Sequence, residues 1–427
     1  MIAVTFSILL IFIALSLPVA AVLFVLGVSL DQLYSPVPLM RAMGMITWTA
    51  GTEYTLVAIP LFIMLGEIIL RSGIASRMYS ALRHWISWLP GGLMHSNIAA
   101  CCLFAATSGS SVATAATIGT VALPEAKRHR YNIRLFLGTL AAGGTLGILI
   151  PPSINMIIFG VLTDTSIPQL YLAGIVPGLI VTALFMGTVV VACTLRPAWG
   201  GETAAVEHPG HWRLMKDVLP PLVIFVIVIG SIYSGWATPT ESAALGVLTA
   251  LVFAGLSGQL GLRMLREALE GTMRITAMVT LIILAAFFLN FVISSIGLTQ
   301  QINATIRDLN LSPLNTILII VLFYIVLGCF METLSMMITT VTITTPIVVA
   351  QGYDPVWFGV IMMLLVEMSQ ITPPIGINLY VIQGIRNEGS ILDVVFGVIP
   401  FFFALLLMIG LLILSPQLAL WIPQSVL

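Results

Sequence analysis

Gly143-Gly144-Thr145-Leu146-Gly147-Ile148-Leu149-Ile150-Pro151-Pro152-Ser153-Ile154-Asn155 and Ser369-Gln370-Ile371-Thr372-Pro373-Pro374-Ile375-Gly376-Ile377-Asn378 are two versions of one pattern. Each lies in a long apolar run, and neither can be a straight helix. Consecutive prolines remove backbone donors, clash with the preceding turn and push the residue before them towards an extended backbone. The spacing predicts two broken helices, and their likeness predicts a duplicated chain.

Matches on either side extend the duplication. Pro124…Tyr131-Asn132…Phe136 recurs as Pro346…Tyr353-Asp354…Phe358, a shift of 222. Gly174-Ile175-Val176-Pro177 recurs as Gly397-Val398-Ile399-Pro400, a shift of 223. Further out, Pro18 matches Pro239 and Ser72-Gly73-Ile74 matches Ile296-Gly297-Leu298. A chain so apolar throws up single matches by chance, but a series in order with a nearly constant offset reads as an internal repeat.

Composition sets the solvent of this repeat. Sixteen Lys+Arg and 17 Asp+Glu make only 8% of the 427 residues charged, against roughly 25% in soluble domains. With 59% hydrophobic residues and a mean hydropathy of +1.11, a soluble enzyme, a basic-faced nucleic-acid binder and a disordered tail are excluded. Uncharged runs such as Met1–Leu30, Leu135–Thr163, Thr165–Leu195 and Val394–Leu427 exceed the roughly 20 residues that a spanning helix needs. The fold class is an all-α polytopic membrane protein. The first run has no basic n-region and reads as a span rather than a cleaved signal. Cys101, Cys102, Cys193 and Cys329 all lie in apolar stretches and read as packing residues.

Crossings decide how the halves relate. The first half offers spans at Ala3–Leu30, about Tyr54–Leu70, Leu135–Leu162 and Pro168–Leu195, with an uncharged helical pair at about His95–Leu123. That pair is too short for two crossings and fits a re-entrant hairpin. An extra span, Val218–Trp236, precedes the second half, so equivalent spans are separated by an odd number of crossings and the repeats are inverted. Charge tests this independently. With the N-terminus inside, 14 of the 16 Lys+Arg fall in inner loops and only Arg41 and Arg307 outside, a strong positive-inside bias. The C-terminus is then outside. The second hairpin, about Ser312–Ala350, opens outward and is long enough for either one re-entrant pair or two crossings.

The expected organisation is a first inverted repeat at 1–199, with scaffold spans in 1–90, hairpin and broken helix at about 91–165 and a span at 166–195. A linker and extra span follow at 200–236. The second repeat at 237–427 has scaffold spans to about 310, hairpin and broken helix at about 311–387 and a last span at 390–415. Arg71–Trp88 is amphipathic, as an interfacial arm or a plain connector would be, and Leu262–Gly271 occupies a comparable place in the second half.

Paired Gly/Pro interruptions in inverted halves point to a transporter's midplane site, where unwound carbonyls coordinate cations and half-helix N-termini face an anion. The hairpin tips complete each site. Thr107-Ser108-Gly109-Ser110-Ser111 is a hydroxyl-rich turn, and Phe330-Met331-Glu332-Thr333 is its mate. The candidate Na⁺-binding residues are therefore Ser108, Gly109, Ser110, Ser111, Gly147, Ile150 and Pro151 in the first half. In the second they are Met331, Glu332, Thr333, Ile371, Thr372, Pro373 and Gly376. The candidate substrate-binding residues are Ser110, Ser153, Asn155, Thr333, Thr372 and Asn378. Glu332 and Glu367 are intramembrane carboxylates, each either functional or a paired structural acid. Neither Lys nor Arg falls near the breaks, so helix termini and bound cations must meet an anion's charge. Glu207-His208…His211 is at most half a metal site, and a His95–Ser110 dyad has nothing to orient its histidine.

At these residues the chain resembles the large membrane subunit of the tripartite ATP-independent periplasmic (TRAP) transporters. The resemblance covers nearly the whole length. It rests on Ala58-Ile59-Pro60-Leu61-Phe62…Gly66-Glu67, Ser108-Gly109-Ser110-Ser111-Val112-Ala113, Ile150-Pro151-Pro152-Ser153-Ile154, Thr238-Pro239-Thr240-Glu241 and Ile371-Thr372-Pro373-Pro374-Ile375-Gly376. It implies an elevator-type, Na⁺-coupled importer of an organic acid such as a C4-dicarboxylate or a sugar acid, with Na⁺ as coupling ion and no other cofactor. It also implies a separate small four-helix membrane subunit, a periplasmic substrate-binding protein and a place in the bacterial inner membrane, with no nucleic-acid partner. Departures from the family pattern are Thr114 and Glu332, where acidic and aspartate residues are usual, and Val366 before Glu367. The rival classes are an intramembrane enzyme and a non-transporting scaffold subunit; neighbouring genes for a small membrane protein and a secreted binding protein distinguish them from a transporter.

Overall fold

The computed structural model describes residues 1–15, 17–201, 211–308 and 311–426. Helix is the only regular structure among them. In the first half, α1 (Ile2–Ala14), α2 (Val19–Tyr34), α3 (Met43–Gly51), α4 (Ala58–Arg71) and α5 (Ile74–Ile86) precede a helical hairpin, α6 (Leu93–Ser108) and α7 (Ser111–Arg128). A broken pair, α8 (Ile133–Thr145) and α9 (Ile154–Thr163), follows, then α10 (Ile167–Leu195) and α11 (His211–Tyr233). The second half repeats the order. It runs through α12 (Pro239–Leu256), α13 (Leu262–Ser295), α14 (Leu298–Asp308), the hairpin α15 (Pro313–Gly328) and α16 (Thr333–Ala350), and the broken pair α17 (Pro355–Ile371) and α18 (Ile377–Arg386). It ends with α19 (Ile391–Leu414) and α20 (Gln417–Val426). Among the described residues, seven helices are long and apolar enough to cross a membrane.

Local chemistry explains the boundaries. Both prolines of the outermost match sit at helix starts, Pro18 ahead of α2 and Pro239 at the head of α12, where a missing N–H costs nothing. Thr238 and Glu241 form a reciprocal capping box there. Span one is split at Pro18 into α1 and α2. The two hairpins have arms of the same size, 16 and 18 residues each. At about 1.5 Å per residue a 16-residue arm reaches about 24 Å, short of a hydrocarbon core of about 30 Å. The second hairpin thus has the dimensions of the first, although its α16 is also one of the seven helices long and apolar enough to cross.

One expectation is corrected. Leu262–Gly271 is not a separate interfacial helix; it is the beginning of the continuous 34-residue α13. The counterpart of α5 is α14, and the Ser72-Gly73-Ile74 match marks it. Gly73 and Gly297 both take left-handed backbone, at φ +67° and +72°, and each releases an amphipathic helix from the span before it.

Packing sorts the helices into two groups. α2, α4, α12 and α13 lie against one another, with α11 on α12 and α5. The hairpins, the broken pairs, α10, α19 and α20 form the second group, in which the halves interleave: α8 crosses α19, α7 meets α18, α9 meets α16 and α10 meets α20. At the α8–α19 crossing Gly138 and Gly397 bring two backbones into direct contact, leaving no space for a side chain on either.

Charge separates the two ends of the molecule. At one end Arg71 pairs with Glu67 at 2.9 Å and Glu267 at 3.0 Å, tying α4 to α13. At the same end Arg83 on α5 meets Glu125 on α7 at 2.7 Å, and Arg134 and Arg386 share Asp393, each at 3.0 Å. Lys127 reaches Glu388 at 2.8 Å in the α18–α19 turn and holds that carboxyl below its usual range. Glu53 precedes α4, whose far end carries Arg71, and Asp164 follows α9, at the other end of the broken pair from Arg134.

Candidate functional site

The first hairpin tip is built by glycine and two serines. α6 ends at Ser108, Gly109 turns the chain at φ +58°, and Ser110 takes extended backbone as the N-cap of α7. The Ser110 hydroxyl accepts from the Ala113 N–H at 3.4 Å, while the Thr114 hydroxyl donates to the Ser110 carbonyl at 2.6 Å and lies 3.2 Å from the Ser108 hydroxyl. Thr114 thus closes the tip with neutral oxygen atoms.

Across from it, α8 unwinds after Thr145. Short turn bonds carry the backbone through Leu146–Ile150, the Pro151–Pro152 peptide is cis, and Ser153 restarts the helix. Tip and break interlock backbone to backbone. A Cβ on Gly109 would lie 2.7 Å from the Pro152 carbonyl oxygen, and one on Gly147 would lie 3.0–3.1 Å from the Ser110 carbonyl group. Glycine is required at Gly109 by this approach and by its φ, while at Gly147 a side chain would fit only if the tip gave way by a few tenths of an ångström. From the other group of helices, Gly66 of α4 closes over the tip: its Cβ would sit 3.0 Å from the Ser108 carbonyl oxygen. Gly147, Ile150, Pro151, Ser153 and Asn155 are all buried.

The second tip obeys the same geometry with different chemistry. Shifting Ser110 by 222 gives Glu332, and Glu332 is the N-cap of α16. Its carboxylate accepts from the Ser335 N–H at 3.1 Å and the Ser335 hydroxyl at 2.9 Å. Met331 and Thr333 flank it, both buried. In the second break Thr372 is extended, its hydroxyl donates to the Met368 carbonyl at 2.6 Å, the Pro373–Pro374 peptide is cis, and Gly376 precedes α18. Ile371 and Gly376 are buried, but Pro373, Pro374 and Ile375 are exposed. The close approach here lies one turn before tip and break, where a Cβ on Gly328 would lie 2.8 Å from that of Ser369.

Asn378 joins the two halves. It is fully buried, its carbonyl accepts from the Ser111 hydroxyl at 3.4 Å, and its amide donates to the Ala141 carbonyl at 3.1 Å. The second break is therefore tied to the first tip and to α8. Asn155, its counterpart, has no such cross-repeat tie among the described contacts. Glu367 is fully buried beside the backbone N–H of Leu149 in the first break, yet neither carboxyl oxygen makes a hydrogen bond. It is the only carboxylate of the described residues so placed.

Four helix N-termini, those of α7, α9, α16 and α18, begin at the tips and breaks. The N-termini of α7, α9 and α18 carry partial positive charge where the sequence places neither Lys nor Arg, whereas the Glu332 carboxylate caps that of α16. The oxygens at the tips and breaks are hydroxyls, backbone carbonyls and the Glu332 carboxylate, an oxygen set of the kind that hard cations take.

Comparison with known proteins now has a geometry to explain. Residues 6–418 match the model of the family described as tripartite ATP-independent periplasmic transporter, DctM component. The chain belongs to this family. Among its TRAP relatives, the C4-dicarboxylate TRAP transporter large permease protein DctM of Pseudomonas aeruginosa is 32% identical over 83% of each chain. The sialic acid protein SiaM of Vibrio cholerae is 31% identical over 87% of each, and the ectoine/5-hydroxyectoine protein UehC of Ruegeria pomeroyi is 33% identical over 86% of each. The YdaH transporter of Alcanivorax borkumensis has the same fold, with a TM-score of 0.67 over 98% of both chains at 18% identity. A family whose relatives are permease proteins accounts for paired breaks in a polytopic helical chain. The remaining motifs add nothing to it: Glu207 and His208 lie outside the described residues, and no group of three or more His, Cys, Asp or Glu is found among the described ones. Cys101, Cys102, Cys193 and Cys329 are free thiols, and His95 is held by the Pro90 carbonyl at 2.9 Å rather than by Ser110.

Proposed function

We propose that the chain is the large membrane subunit of a Na⁺-coupled importer that takes an organic acid from a periplasmic binding protein and works with a separate small membrane subunit. The basic end faces the cytoplasm, as the positive-inside bias requires. Each repeat supplies one Na⁺ site: Ser108–Ser111 with Gly147–Pro151, and Met331–Thr333 with Ile371–Gly376. The organic acid lies between them, held by the N-termini of α7, α9 and α18 and by Ser110, Ser153, Asn155, Thr333 and Thr372. Asn378 acts from behind, fixing the second break to the first tip. The single observation that carries this reading is the interlock of Gly109 and Gly147 with the carbonyls of Pro152 and Ser110, which sets backbone oxygens of tip and break side by side in a buried place.

The hairpins and broken pairs move as one body against the α2–α4–α12–α13 scaffold, with α5 and α14 as the arms that let it slide. Inverted halves suit this motion, since displacement towards either membrane face opens one junction and covers the other. Uptake into proteoliposomes with purified partners, with and without a Na⁺ gradient, tests the function. Ser110→Leu and Thr372→Leu are each expected to raise the Na⁺ concentration needed for half-maximal uptake. Unchanged Na⁺ dependence in both removes the site assignment, and gradient-independent uptake removes the coupling.

A further inference from the structure

The two breaks match in sequence, yet the carbonyl at the heart of each is held differently. In the first, the Pro152 carbonyl lies under the hairpin tip, against Gly109. A shift of 222 leads from Pro152 to Pro374 and from Gly109 to Met331. Met331 carries a side chain and lacks the left-handed backbone of Gly109, so it cannot press its main chain onto a carbonyl in the same way. The second tip meets its broken helix one turn earlier instead, at Gly328 and Ser369. The Pro374 carbonyl takes its partner from α18: the Tyr380 hydroxyl, six residues on, donates to it at 2.9 Å.

The first repeat has no such hydroxyl. A shift of 223 leads from Tyr380 to Ile157, which is fully buried and has no side-chain donor. One repeat thus combines Gly109 with Ile157 and the other Met331 with Tyr380; where the tip loses its glycine, the helix after the break gains a donor. The second break also has more chain to restrain. The offset is 222 at Pro374 and 223 at Asn378, so this break is one residue longer, and Gly376 turns within it at φ +22°. The Thr372 carbonyl accepts from the Gly376 N–H at 3.1 Å and the Gly376 carbonyl from the Leu379 N–H at 2.8 Å. Tyr380 adds the bond that fixes Pro374 between them. Its ring is 55% exposed, so the hydroxyl can be removed with little loss of packing.

We infer that Tyr380 is a positioning residue of the second junction, holding the Pro374 carbonyl as the hairpin tip holds its counterpart in the first and so pre-forming the second Na⁺ site. The inference rests on the importer reading, which places a Na⁺ site at Met331–Thr333 and Ile371–Gly376. A site shaped in advance binds more tightly because less ordering is left to the ligand. Hydrogen exchange read by mass spectrometry tests this on the full chain in nanodiscs, with Na⁺ as the only ligand and choline as the control cation. Without Na⁺, Tyr380→Phe should speed exchange of the Ile375–Leu379 amides about two- to ten-fold, the worth of one neutral hydrogen bond. The Leu146–Ile150 amides of the first break should keep their rates. The Na⁺ concentration that half-protects the second break should rise by the same factor, with that of the first break unchanged. Unaltered exchange at Ile375–Leu379 overturns the inference, and so does faster exchange with an unaltered half-protecting concentration. If Na⁺ protects neither break of the unsubstituted chain while Tyr380→Phe still speeds exchange, the Na⁺ assignment falls and the hold on Pro374 stands.

Discussion

The two breaks share a sequence and differ in surroundings. Pro151, Pro152 and Ser153 are buried under the first hairpin tip, which is itself covered by Gly66 of α4; Pro373, Pro374 and Ile375 stand exposed. Propensity cannot explain the difference, because Ile150-Pro151-Pro152 and Thr372-Pro373-Pro374 break their helices for the same reason. The difference comes from what is packed against each break. On the proposed moving-body reading, the cover that Gly66 of the scaffold gives the first tip belongs to one of two states, and the second junction is covered in the other.

Substitution at the first junction should have the largest effect. Gly109→Val meets the Pro152 carbonyl and a left-handed backbone together, for about 1–2 kcal/mol of conformational strain and about 1–3 kcal/mol of overpacking. We expect a markedly lower midpoint of thermal unfolding in detergent and no Na⁺-driven uptake. Ile375→Val at the exposed junction should leave both unchanged. If the two variants behave alike, the junctions are not unequal in the way described.

Asn378→Leu ranks next. It leaves the Ala141 carbonyl and Ser111 hydroxyl without their partner in a dry interior, a loss of about 1–3 kcal/mol. Asn155→Leu, which breaks no cross-repeat tie, should cost less, and the difference in unfolding midpoint between the two variants measures the tie. Caps should give the smallest and most equal effects. Ser110→Ala and Glu332→Ala each remove an N-cap worth about 0.5–2 kcal/mol, and similar shifts are expected although one side chain is neutral and the other acidic. A much larger shift for Glu332→Ala would mean that its carboxylate has a further partner in the folded protein.

Much of this was legible in the residues themselves. Proline pairs in matching positions located both breaks, and the 222-residue offset led from Ser110 to Glu332, whose capping roles coincide. Gly73 and Gly297 marked where each arm begins, yet the charged, amphipathic look of Leu262–Gly271 drew attention to the wrong segment. Helix continuity through Gly271 is a property of packing: a Cβ there would lie 2.7 Å from the Glu67 carboxyl group, so the glycine marks a close crossing with α4 rather than a helix end. The role of Asn378 depends on contacts between distant parts of the chain, which local pattern does not encode. Nor does any pattern specify which of two equivalent breaks is covered, since that belongs to a conformation and not to a sequence.

A crosslink between Gly66 and Ser108 tests most directly whether the hairpin body moves against the scaffold. A Cβ built on Gly66 lies 3.6 Å from the Ser108 Cβ, inside the usual disulfide range of about 3.5–4.5 Å. In the Gly66→Cys/Ser108→Cys double variant, oxidation is expected to join α4 to the first tip and stop uptake, and reduction to restore the rate that the same double variant shows before oxidation. Uptake that continues at the reduced rate, with the disulfide shown intact by mass spectrometry, would contradict a moving body.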